Sequence, residues 1–258
     1  MVRCFTLLLL ALPVTAAADP GPAVIDLTYA GYASGLHVVT MQSELQLTTS
    51  GYRIAMAGQT TGITGFVYHA HWQSWADGAW NGPSVNALHF DSNGVYGGDP
   101  RQVEIAFRGR QAVVQALQPP DDGEHTPVPP TLTHNVIDGL SLTALVVHQV
   151  ATLGHCVGQV TTFDGRQVES LTLAGDGTEM LPATGRSNWR GPTQRCRINA
   201  RVLAGFYRDE NDDPLRTHTE FIWLGNVLPG LPLLPVRMTA SSNHIGQVML
   251  YLIGAKLK

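Results

Sequence analysis

Catalytic signatures are missing from this 258-residue chain. It has no Gly-x-Ser-x-Gly elbow, no His-Glu-x-x-His pair and no phosphate-binding glycine loop. The serine-elbow hydrolases, zinc proteases and P-loop NTPases are therefore poor fits. Charge is scarce too. Asp, Glu, Lys and Arg make up 14%, and the net charge is −4. An acidic balance argues against a nucleic-acid partner, which needs a net basic surface. A disordered chain would carry far more charge. Cysteine is limited to Cys4, Cys156 and Cys196. No apolar run after the first is long enough for a transmembrane anchor.

That first run is informative. "MVRCFTLLLLALPVTAAADP" starts with Arg3, continues with an apolar stretch over 5–14 and ends in Ala16-Ala17-Ala18. The stretch is too short to span a bilayer and reads as a cleavable secretory signal over 1–18. Residues 19–258 are then expected to form one exported domain in the periplasm. Cys4 precedes the apolar run, so it is not a lipid-attachment residue and leaves with the signal. In an oxidising compartment, Cys156 and Cys196 are expected to pair, adding about 4 kcal/mol by chain entropy.

What is present is mostly strand. Over 37–48, His37, Val39, Met41, Ser43, Leu45 and Leu47 alternate with Val38, Thr40, Gln42, Glu44, Gln46 and Thr48. Only a period of two sorts these residues, so one face is buried and the other wet. "AVIDLTYAGYASG" before it and residues 52–60 after Ser50-Gly51 complete an antiparallel meander. "RQVEIAFRG" pairs with "QAVVQAL" across Gly109-Arg110. "RCRINARV" sorts Cys196, Ile198, Ala200 and Val202 from Arg195, Arg197, Asn199 and Arg201, and the arginine side is expected to face solvent. Asp164-Gly165 predicts a two-residue type I′ hairpin, which makes Asp164 a turn former. Including the C-terminal segments, about eleven strands are expected.

One segment, 135–154, reads as a helix apolar nearly all round, and such a helix must be buried. Asn135 is its expected cap, with Asp138 in the first turn. The proline-rich "QPPDDGEHTPVPP" sets it apart from the first strands. An apolar sheet face and one buried helix predict a mainly β fold: a curved antiparallel half-barrel around that helix. No internal repeat and no second-domain boundary is evident.

Candidate metal sites fall short. His69 and His71 would share a strand face, but zinc wants three or four ligands and none follows nearby. In "DENDDPLRTHTE", Asp209, Asn211, Asp213, Leu215, Thr217 and Glu220 match the ligand order of a calcium loop. Pro214 occupies the position that demands Gly, and a polar hairpin loop is expected instead. Ser141 and His148 lie two helical turns apart, about 10 Å of rise, too far for a hydrogen bond. No catalytic residue, metal or cofactor is assigned.

Aromatic residues remain. "GFVYHAHWQSWADGAW" holds Trp72, Trp75 and Trp80, and is expected to start as a strand and turn at Asp77-Gly78. With Phe221 and Trp223, its rings either line an apolar pocket or fill a core.

Several motifs together resemble an exported bacterial family, domain of unknown function 3108. They are "YAGYASG", "NVIDGLSLTALV", "FDGRQVESLTL", "GFYRDEN" and "LPVRMTASSNHIGQVMLYL", in that order over nearly the whole exported region. Where the family has Asp-Pro before the helical serine, this chain has Asp138-Gly139. The family in turn resembles the periplasmic lipoprotein-carrier (LolA-like) fold, a curved sheet enclosing helical segments. That resemblance implies an apolar ligand such as an acyl chain and carries over no catalytic residue.

The leading expectation is a periplasmic binding or carrier protein for a lipid-like or acylated ligand. Met41, Met56, Trp72, Trp75, Phe221 and Trp223 are its candidate wall, with Leu140, Ala144 and Val147 on the helix side. An envelope protein-interaction module with a filled interior is the alternative. An unrecognised hydrolase is a third reading and requires polar groups converging in a cleft.

Overall fold

The computed structural model describes residues 23–62, 65, 68–121, 123–208, 217–242 and 246–258. The signal-peptide reading of 1–18, Cys4, and residues 209–216 of the acidic loop lie outside them.

Seven strands come first: β1 (Ala23–Ala33), β2 (Leu36–Leu47), β3 (Gly51–Thr60), β4 (Ala70–Asn81), β5 (Ser84–Tyr96), β6 (Asp99–Arg108) and β7 (Gln111–Gln118). A two-residue strand β8 (Val136–Ile137) and the helix α1 (Gly139–Leu153) follow. Then come β9 (Val157–Phe163), β10 (Val168–Leu181), β11 (Gly191–Ala204), β12 (Thr217–Gly225), β13 (Leu234–Ser242) and β14 (Gly246–Leu257). Alternation dictates the meander. On β1, Ile25, Leu27 and Tyr29 are buried, and they pair with Leu45, Ser43 and Met41 of β2.

All fourteen strands join one sheet, ordered β7-β6-β5-β4-β3-β2-β1-β14-β13-β12-β11-β10-β9-β8. The β1–β14 pairing joins the two meanders, with Ile25 opposite Leu257. Only β8–β9 is parallel, because the chain crosses over before it. That crossover also draws the edges together. Ala112 N–H donates to Thr133 O (2.9 Å) and Asn135 N–H to Arg110 O (2.7 Å), just before β8 pairs with β9. The mainly β class with one helix stands, but the sheet is a nearly closed barrel and not a half-barrel, and it holds more strands than expected. β5 and β8 are among the strands that were not expected.

Three local readings need correction. The helix is capped by Asp138, whose Oδ1 accepts from Leu140 N–H and Ser141 N–H, both at 2.9 Å. Asn135 lies before β8 with φ of 57°. Gly139 takes the first helical position, where the family's proline would sit. The β9–β10 hairpin centres on Gly165-Arg166, one residue later than expected, and only Gly165 has a positive φ. Asp164 still makes the turn: its Oδ1 accepts from Arg166 N–H (2.8 Å) and Gln167 N–H (2.7 Å). At Asp77-Gly78 the chain bulges within β4 and does not turn.

α1 lies against β3, β4, β5 and β9. Ala144, Val146 and Val147 are almost fully buried, whereas Ala151 is exposed. His148 Nε2 hydrogen-bonds Gly82 O at 2.8 Å, and its ring stacks on Trp80 at 4.2 Å. The helix thus plugs the end of the barrel where β4 turns into β5. Cys156, just after α1, is disulfide-bonded to Cys196 of β11.

Candidate ligand cavity

One helix cannot fill a barrel this wide. About eight strands leave an interior that side chains fill, and the lumen grows with strand number. Beyond the N-terminal turn of α1 an interior cavity of about 680 Å³ opens. Its apolar wall includes Leu27, Met41, Met56, Phe90, Leu140 and Ile222. A second cavity of about 510 Å³ lies toward the other end of β3 and β4, and Met41, Phe90, Asp164, Tyr207 and Leu250 line both. Trp72 stacks on Tyr96 in this second space. The indole has room because β3 places Gly58 opposite it, where a Cβ would lie 2.3 Å from the ring.

Of the nine residues predicted to face a ligand, Met41, Met56, Trp72 and Leu140 line these cavities. Ala144 and Val147 are buried in the core packed around α1 and reach neither cavity. Trp75, Phe221 and Trp223 correct the expectation, because they line neither cavity, and Trp223 is itself buried in the core. Arg53 covers the Trp75 ring at 4.1 Å. Arg195 faces Phe221 at 5.5 Å, and Trp223 Nε1–H donates to Glu179 at 2.7 Å. The period of two explains the error: on β12, the inward set is His218, Glu220 and Ile222. His69 and His71 are both exposed, with rings 5.6 Å apart.

Sequence reasoning missed the polar end of the main cavity. His218 Nε2 lies 4.0 Å from Glu169 Oε1 and 3.8 Å from Glu220 Oε1. Strand β11 separates β10 from β12, and it sets Val202 opposite Glu169, Ala200 opposite His218 and Ile198 opposite Glu220. Glu220 Oε1 accepts from Ser241 N–H at 2.8 Å. Burial pushes the Glu169 carboxyl up to about 7, and the charges of Asp164 and Glu220 push the same way. Phase was the available signal, since Glu169 shares the phase of Leu171 and Leu173, and His218 and Glu220 that of Ile222.

A fully buried carboxyl, Asp138, has a different setting. Asp138 also receives the Ser141 Oγ–H bond at 2.5 Å, and Tyr52 O–H donates to Ser141 Oγ at 2.7 Å. Burial raises its pKa to about 6 against the pull of these hydrogen bonds. Ser141 is fully buried, so this chain of hydroxyls ties α1 to β3 and presents no exposed nucleophile.

The chain is similar to a solved structure, a β-barrel-like protein of domain of unknown function DUF1849 from Brucella abortus. It is 11% identical, with a TM-score of 0.49 over 92% of this chain and 98% of that one. No curated protein matches the sequence. The family described as "Protein of unknown function (DUF3108)" matches residues 25–253, from β1 into β14, and the chain belongs to that family.

Proposed function

We propose that residues 19–258 form one periplasmic domain that binds or carries an apolar or acylated ligand inside the barrel. The supporting observation is the hollow interior. Its main cavity of about 680 Å³ falls within the usual range for small-molecule sites, roughly 300–1,000 Å³. The wall is largely apolar with a few polar groups at one end, a pattern that suits an amphiphile. Export rests on the N-terminal apolar run. Binding energy comes from apolar burial, about 25 cal/mol per Å² before ordering is subtracted. A filled interaction module would leave no such space.

The test is uptake of the neutral apolar fluorophore N-phenyl-1-naphthylamine by purified protein. Saturable uptake near one equivalent is expected, and Met41→Trp, at the junction of the two cavities, should weaken it several-fold. Absence of saturable uptake by folded, disulfide-bonded protein would refute the reading.

A further inference from the structure

The charge on the cavity wall selects among amphiphiles. Asp164, Glu169 and Glu220 line the main cavity, and no Lys or Arg does so among the described residues. His218 is the one basic side chain on this wall, held between the two glutamates. A carboxylate or phosphate head group brought here would meet like charges on a wall only partly open to water. A cation would meet opposite charges, and its apolar tail would reach Met41 and Phe90. Glu169 takes no hydrogen bond from the described residues, and its nearest partner is the imidazole at 4.0 Å. A bound N–H donor would supply what this carboxylate lacks.

We infer that the interior takes amphiphiles whose polar end is a cation, an alkyl ammonium head seated against Glu169 and Glu220 beside His218. The inference rests on the binding reading above and narrows it. It carries a pH signature. Glu169 gains its charge as pH rises through about 7, while an alkyl ammonium stays protonated until about pH 10. Asp164, Glu220, His218 and Tyr207 face the same space. Cation binding therefore tightens from pH 6 to pH 8.

The experiment is displacement of N-phenyl-1-naphthylamine by three twelve-carbon amphiphiles: dodecylammonium, dodecanoate and neutral dodecyl maltoside. At pH 8, dodecylammonium should bind at least about tenfold more tightly than dodecanoate. The ratio should shrink at pH 6, and also in Glu169→Gln. Glu220→Gln, which keeps an acceptor for Ser241 N–H, is the second variant should the first fold poorly. Equal displacement by all three, or preference for dodecanoate, would overturn the head-group assignment and leave the binding reading standing. If the fluorophore itself does not bind, both fall.

Discussion

Asp138 is fully buried and Glu169 partly so, and burial pushes both carboxyls above their ordinary values, yet they stand in opposite surroundings. Asp138, at the plugged end, accepts two backbone N–H groups and the Ser141 hydroxyl. Glu169, beside the hollow, faces an imidazole at 4.0 Å and open space. The first is satisfied by the fold itself. The second is left for something the fold does not contain. The contrast teaches that burial alone does not mark a site; a buried polar group whose partners are missing does.

The largest expected effect lies at the plugged end. Replacing Cys156 and Cys196 by Ala should cost about 4 kcal/mol in urea unfolding, by release of the loop they close. Asp138→Ala should cost about 3 kcal/mol, since it removes the cap and strands the Ser141 hydroxyl and backbone donors. Glu169→Gln should by contrast change stability at pH 5 by less than about 1 kcal/mol. Equal losses from these two variants would break the comparison.

A pH series sharpens it. Both carboxyls titrate higher in the folded state, so the folded protein binds more protons than the unfolded chain in between. Their contribution is full below the unfolded values near 4 and is lost as pH rises through about 6 for Asp138 and about 7 for Glu169. Glu169→Gln should flatten the upper part of this decline by up to about 3 kcal/mol. An unchanged slope between pH 5 and pH 8 would show that Glu169 is not buried in solution. The smallest effect belongs to the outer face. Trp75→Ala should cost no more than about 1 kcal/mol, the scale of its contact with Arg53, and leave fluorophore uptake intact.

Much of the barrel was legible in the sequence, for a physical reason. Strands wet on one face carry a period of two, as in β2, β6 and β11, and the inward face of β11 (Cys196, Ile198, Ala200, Val202) is buried as read. β5 escaped because "SVNALHFDSNGVY" mixes Asn, Asp, Ser and Gly in the manner of a loop, and cross-strand pairing overrides that composition. β8 is two residues long and holds by tertiary contact alone. The helix was visible, but its start was not, because Val136 and Ile137 are as apolar as the helix and serve the sheet instead. For the cavity, size misled: Trp75, Phe221 and Trp223 were chosen as large rings, while the inward phase of β12 belongs to His218 and Glu220. Barrel closure, and hence the hollow, depends on β1 meeting β14 across the whole chain and on β7 meeting residues 133–135 before β8, which no local pattern encodes.

A crystal structure of the protein with dodecylammonium puts the central claim to its most direct test. Density for the alkyl chain should run past Met41 and Phe90, with the nitrogen about 3 Å from a carboxylate oxygen of Glu169 or Glu220. A barrel interior holding only water, with the amphiphile bound on the outer face, would contradict it.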